Sequence, residues 1–286
     1  MNNKITGILL LVLGTIFWGM TFAFTKNALN DIDTYSFLAF RFLIASSSLA
    51  LLFINRLRNI DFNVIYKGVI LSIPLTIGFL TQTMGLEYTS ASNGGFLTAI
   101  SVIIVPIINT IYTKRFPSFK STISILIASL GLLLITGTSV KTFNHGDILM
   151  LICAIAFAFY IVQVSRESGK SDAILVTLIQ LIVVSICSFF MAFLGDGIKI
   201  PSSTDSWTGI LFCAIFATTF MYTIQNHYQQ YLSTNTTVII FSLEPFFAAI
   251  TAVIMLSEEL TTSIFIGGFL IIFSMIMSEI KFKVKQ

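Results

Sequence analysis

The stretch 238-VIIFSLEPFFAAITAVIML-256 runs nineteen residues with one charge, Glu244, followed at once by Pro245. A helix of about 20 apolar residues spans the hydrocarbon core of a bilayer, and this segment has that length. The rest of the chain agrees. Of 286 residues, 56% are apolar and only 10% charged, with a mean hydropathy of +0.93. A water-soluble domain carries roughly 25% charged residues, so this composition fits an integral membrane protein. The net charge of +3 is small and its basic residues are scattered between apolar blocks, which argues against nucleic acid as a partner. Cys153, Cys187 and Cys213 all lie within apolar runs without metal or redox spacing and read as small buried hydrophobes.

Working outward from that stretch, hydropathy gives ten spans: 6–26, 34–54, 65–86, 91–113, 119–138, 147–165, 173–194, 207–230, 234–256 and 262–280. The expected fold is an all-α membrane protein of ten transmembrane helices. The first span is followed by no small-x-small cleavage site and reads as a retained helix. With the N-terminus inside, twelve basic residues fall on the inner side: Lys4, Arg56, Arg58, Lys67, Lys114, Arg115, Lys120, Arg166, Lys170, Lys281, Lys283 and Lys285. The outer side collects three, Lys26, Lys141 and Lys199, and Arg41 lies within a span. The positive-inside rule then places both termini in the cytoplasm.

The chain also resembles itself. Shifted by 139 residues, 6-TGILLLVLGTIFWG lies over 145-HGDILMLICAIAFA, and Arg41 over Gln180. Shifted by 143, 82-QTMGLEY lies over 225-QNHYQQY, and one further residue lays Lys114-Arg115 on Glu258-Glu259. Five spans per half make the second half insert upside down, a 5+5 inverted-topology repeat with halves 1–138 and 139–286. Such repeats are a recurring plan of transporters, with the site between the halves.

The words 17-FWGMTFAFTK, 41-RFLIA, 88-YTSASNGGFLTAISVIIVP, 231-YLSTNTTVIIFSLEP and 258-EELT resemble the EamA-type drug/metabolite transporter superfamily over nearly the whole chain. The segment 114-KRFPS departs from it, because the family's counterpart of the acidic loop is often Glu-Arg-like. The resemblance implies a multi-pass carrier in the plasma membrane that moves amino acids, other small metabolites, quaternary ammonium compounds or drugs, mostly outward. It also implies a central cavity between spans one, three, four, six, eight and nine.

Charges inside a span are costly and tend to face the bundle interior. Glu244 shares a helical face with Thr237, Phe241, Ala248 and Thr251, and Pro245 is expected to kink that helix. Its carboxylate could meet a substrate ammonium, take up a coupling proton, or simply pair with a neighbouring helix. Arg41 reads first as a residue that snorkels or clamps onto backbone carbonyls, with a salt bridge to Glu244 as the other option. Polar and aromatic stripes supply the remaining candidates: Trp18 and Phe22 in the first span, Thr76 and Phe79 in the third, Asn93 in the fourth, and Phe157 and Tyr160 in the sixth. Tyr222, Gln225 and Gln229 follow in the eighth, and Phe241 joins Glu244 in the ninth. Aromatic walls dotted with amides suit a small zwitterion or a flat heterocycle.

A membrane-embedded enzyme and a small-molecule channel are the competing classes. The two histidines, His145 and His227, form no metal or nucleophile motif, and 168-SGKS-171 lacks the glycine that a phosphate loop requires. No cofactor or metal is expected. The partners implied are a small solute and lipid, with a coupling proton and a second copy of the chain as further options.

Overall fold

The computed structural model describes residues 3–136, 144–257 and 261–279. Lys141, the Glu258-Glu259 pair, the 138/139 boundary and the basic tail Lys281, Lys283 and Lys285 lie outside the described residues. Those described are built from helices and contain no strand. In chain order they are α1 (Asn3–Ala28), α2 (Thr34–Leu52), α3 (Phe62–Tyr88), α4 (Ala91–Ala99), α5 (Ser101–Thr113), α6 (Phe119–Thr136) and α7 (His145–Glu167). Then follow α8 (Ala173–Leu194), α9 (Thr204–Phe212), α10 (Met221–Tyr228), α11 (Thr234–Phe241), α12 (Glu244–Leu256) and α13 (Thr262–Glu279). Eight stretches are long and apolar enough to cross a membrane: α1, α2, α3, α4–α5, α7, α8, Thr204–Tyr231 and α11–α12. Two shorter apolar helices, within α6 and α13, fall at the fifth and tenth expected spans.

In hydrocarbon each helix must satisfy its own backbone, so the ends carry caps. Asp33 accepts from the backbone N–H of Tyr35 and Ser36, and Asp61 from Val64. Asn144 and Asp147 form a reciprocal capping box at the start of α7. Outward faces are apolar: Ile111 is 70% and Ile254 76% exposed, which suits lipid rather than water.

Two spans are interrupted, and in the same way. The fourth breaks at Ile100, between α4 and α5. The ninth was expected to be one kinked helix, but it is two. Ser242 and Leu243 end α11, and α12 begins at Glu244, with Pro245 in the first turn where its missing N–H costs nothing. Capping serines open both spans 143 residues apart, Ser90 and Ser233, each accepting from the backbone N–H three residues on. Both spans end, again 143 apart, in a left-handed residue, Lys114 (φ 53°) and Ser257 (φ 56°), the only non-glycines with positive φ among the described residues. The eighth span holds a third irregularity, a π-helical segment over Cys213–Phe220.

Loops that the charge pattern assigns to one side touch each other. On one side Arg56 pairs with Asp172 (3.0 Å) and Lys67 with Glu167 (3.5 Å). On the other, Lys26 Nζ donates to the carbonyls of Leu86 (2.8 Å) and Thr89 (2.5 Å), and Asp31 binds the hydroxyl of Ser202. That hydroxyl and the Ser203 backbone N–H hold the Asp31 carboxyl well below the usual range.

Away from the centre, α6 and α13 pack backbone to backbone. A Cβ on Gly131 would lie 2.6 Å from the carbonyl oxygen of Gly267, and a Cβ on Gly267 would meet the Gly131 carbonyl in turn. Only glycine lets the two backbones come so close. Gly131→Val is therefore expected to cost about 1–3 kcal/mol of stability. Thermal unfolding of the detergent-solubilised protein would show it, and an unchanged midpoint would mean that the helices separate freely.

Candidate functional site

The breaks in the fourth and ninth spans face one cavity at the centre of the bundle, which also receives α1, α2, α3, α7 and α10. Helix interruption at membrane depth is tolerated where it lines a polar cavity, and both breaks obey that rule. The cavity is narrow, with ≈ 40 Å³ that admits the centre of a water molecule.

Most of its lining falls into pairs at the offsets of the internal repeat. Trp18 and Phe157 are 139 apart, as are Thr21 and Tyr160. Phe79 and Tyr222, Gln82 and Gln225, Thr98 and Phe241, and Ser101 and Glu244 are each 143 apart. The walls are aromatic and in mutual contact. The Trp18 ring lies 5.5 Å from Tyr222 and 4.9 Å from Phe241, and Phe79 lies 5.4 Å from Phe157.

The π-helical segment anchors two of these side chains. Its Ala217 carbonyl accepts from Trp18 Nε1 (2.8 Å), and its Thr218 hydroxyl accepts from Arg41 Nε (2.9 Å). A π segment shifts its backbone bonds by one residue and recurs at functional sites. Arg41 is 2% exposed and its guanidinium lies 4.7 Å from the Phe79 ring. The clamp expected of it is thus a side-chain hydroxyl rather than backbone carbonyls. No salt bridge joins it to Glu244 among the described residues, although both line the cavity. Glu244 sits at the first residue of α12, where the helix dipole favours negative charge, and its carboxylate has no hydrogen-bond partner among the described residues.

Eight of the twelve expected site residues line the cavity: Trp18, Phe79, Phe157, Tyr160, Tyr222, Gln225, Phe241 and Glu244. Four are placed elsewhere. Phe22 is packed in a core with Leu86, Leu97 and Met150. Thr76 is half-buried away from the cavity, its hydroxyl unpartnered. Asn93 donates to Thr89 Oγ1 (2.7 Å) and Asp147 Oδ1 (2.8 Å), tying α4 to α7 at the bundle's end. Gln229 donates to the Ile161 carbonyl (2.7 Å) and Ser165 Oγ (2.6 Å) and accepts from Gln225 Nε2 (3.1 Å), so it joins α10 to α7. Thr21, Gln82, Thr98 and Ser101 line the cavity without having been singled out. The signal that finds them is the repeat offset, applied residue by residue to Tyr160, Gln225, Phe241 and Glu244.

A bundle of apolar helices closed around a polar, charge-bearing cavity is the build of a membrane transport protein. Residues 5–137 and 144–279 each match the EamA-like transporter family, and the chain belongs to that family. It is 33% identical over 271 residues to an uncharacterized transporter of Archaeoglobus fulgidus, covering 95% of this chain and 85% of that protein. It is 25% identical to the uncharacterized transporter YyaM of Bacillus subtilis, covering 96% and 94% of the two chains. A solved crystal structure, described only as that of a protein, superposes with a TM-score of 0.77 at 11% identity, over 96% of this chain and 97% of that one. That likeness concerns the fold.

Because Gln229 makes two hydrogen bonds to α7 and accepts a third from Gln225, Gln229→Leu is expected to destabilise the protein by about 1–3 kcal/mol through the buried polar groups it strands. Thermal unfolding in detergent measures this; a wild-type midpoint would mean that Gln229 does not hold α10 to α7.

Proposed function

We propose that the protein is a secondary carrier that moves a small amphipathic metabolite across the plasma membrane by alternating access, in the outward direction. Its ten spans form two inverted halves, 1–138 and 139–286, with both termini in the cytoplasm. The observation that carries this reading is the pairing of the cavity lining at 139 and 143 residues, as expected of a site on the seam between two such halves. A site on such a seam is reached from either side as the halves exchange conformations. The narrowness of the cavity accords with an occluded arrangement, since a solute larger than water needs the walls to part.

Within this reading Glu244 serves the cargo or the coupling. Its carboxylate faces the cavity with no hydrogen-bond partner among the described residues, and an acidic group so placed takes either the cargo's ammonium or a proton. The amino-acid-like class agrees with rings for contact area and amides for orientation. A channel would lack saturation, and an enzyme would turn its solute over.

The test is uptake into proteoliposomes of a panel of amino acids, purines and quaternary amines, with and without a proton gradient, for wild type and Glu244→Gln. Saturable accumulation of one solute is expected, at least tenfold weaker or insensitive to the gradient in the variant. Saturable transport equal in both proteins would remove Glu244 from the site. Conductance without saturation would favour the channel.

A further inference from the structure

Arg41 has more hydrogen-bonding capacity than its surroundings use. Its Nε is held by Thr218, and its guanidinium face lies over Phe79 and Phe42, 4.7 and 5.5 Å from the ring centroids. Neither Nη atom has a hydrogen-bond partner among the described residues, and the side chain lines the cavity. The guanidinium is always charged, and a charge taken out of water is expensive unless it is paired. The Glu244 carboxylate lies within electrostatic reach of it but accepts from neither amino group, so at 2% exposure the fork is left open for a further acceptor.

The repeat supplies an internal control. The residue at the offset of Arg41 is Gln180, fully buried and with both ends of its amide engaged. Its Oε1 accepts from the Tyr160 hydroxyl (2.9 Å) and its Nε2 donates to Asn226 Oδ1 (3.5 Å). A neutral amide thus suffices to tie helices at this depth. A tie alone gives no reason for Arg41 to carry a charge, or for a planar fork to be left open.

We infer that Arg41 is the specificity-determining residue of the cavity, its two Nη groups forming a fork that binds the carboxylate of the cargo. The inference rests on the carrier reading and names the chemistry that the site selects. A planar guanidinium matches a carboxylate through two parallel hydrogen bonds, and stacking on Phe79 with the bond to Thr218 fixes its plane in advance. The same cavity is lined by two acceptors, the Glu244 carboxylate and Gln225 Oε1, the latter buried and unpartnered among the described residues. A cargo carrying both a carboxylate and an amino group satisfies both the fork and these acceptors. A plain amine leaves the fork of Arg41 without an acceptor.

Matched pairs separate the two ends of the cargo: alanine with ethylamine, leucine with isoamylamine, and phenylalanine with phenethylamine. They are offered in proteoliposomes to wild type, Arg41→Lys and Arg41→Gln, beside purines and quaternary amines, and thermal-shift binding is recorded in detergent. In the wild type, one amino acid should move saturably and raise the unfolding midpoint while its amine does neither. Arg41→Lys keeps the charge without the fork and should weaken half-saturation at least tenfold. Arg41→Gln should lose the amino acid and gain the amine, because Glu244 then stands alone. Loss of the amino acid without that gain would make Arg41 structural and overturn the assignment. An amine moving as well as its parent in the wild type would do the same. If Arg41→Gln does not fold, the wild-type thermal shifts and Arg41→Lys decide. Saturable transport of a purine or quaternary amine, with no amino acid moving, would overturn the fork and leave the carrier standing. Movement of nothing in the panel would bring down both.

Discussion

A chain in hydrocarbon has to satisfy its own backbone hydrogen bonds, and the rest of this structure follows from where that constraint is relaxed. It is relaxed at Ile100, at Ser242–Leu243 and along the π-helical segment Cys213–Phe220. All three lie where polar side chains converge. Elsewhere several helices open on side-chain caps at their ends, as α2, α3, α7 and α8 do. The irregularities thus mark the centre of the molecule more sharply than the charges do. Freed from continuing the helix through Pro245, the ninth span restarts with its carboxylate at the positive end of α12. The fourth, restarting the same way, offers only Ser101 there.

That contrast extends around the cavity. Positions related by the repeat share location but not chemistry. Trp18 answers Phe157 and Phe79 answers Tyr222, ring for ring, whereas Thr98 answers Phe241 and Thr21 answers Tyr160, hydroxyl for ring. The paired glutamines, Gln82 and Gln225, keep their identity but not their bonds. The former donates to Thr98 Oγ1 (3.4 Å) and the latter to Gln229 Oε1 (3.1 Å). Shape is shared between the halves and charge is divided between them, the guanidinium coming from one and the carboxylate from the other.

Much of the fold was legible because bilayer thickness sets a length that hydropathy reads directly. The ten apolar segments fall close to where the helices lie, and the eight cavity residues were found because polar side chains on an apolar helix have few other places to go. The misses have physical reasons. Asn93 and Gln229 are polar in a span yet belong to ties between helices, and a stripe pattern does not tell a hydrogen bond to a neighbour from one kept for a solute. Phe22 is a ring that fills core space. The breaks at Ile100 and Ser242–Leu243 were unmarked or read as a kink, because a proline is compatible with a bend or with a restart. Thr21, Gln82, Thr98 and Ser101 carry too little polarity to stand out, and only correspondence with the other half identifies them.

The π-helical segment bears on where side chains point. An α-helix turns by about 100° per residue, and the wider turn over Cys213–Phe220 takes up residues that a regular helix would have spread further round its axis. Trp18 and Arg41 are seated on that wider turn through Ala217 and Thr218, and Tyr222 and Gln225 reach the cavity just beyond it. Tightening the segment to an α-helix at the same residue count would wind these residues further round the axis and swing both side chains off the cavity. Along these eight residues it is the winding of the backbone that aims the side chains beyond them.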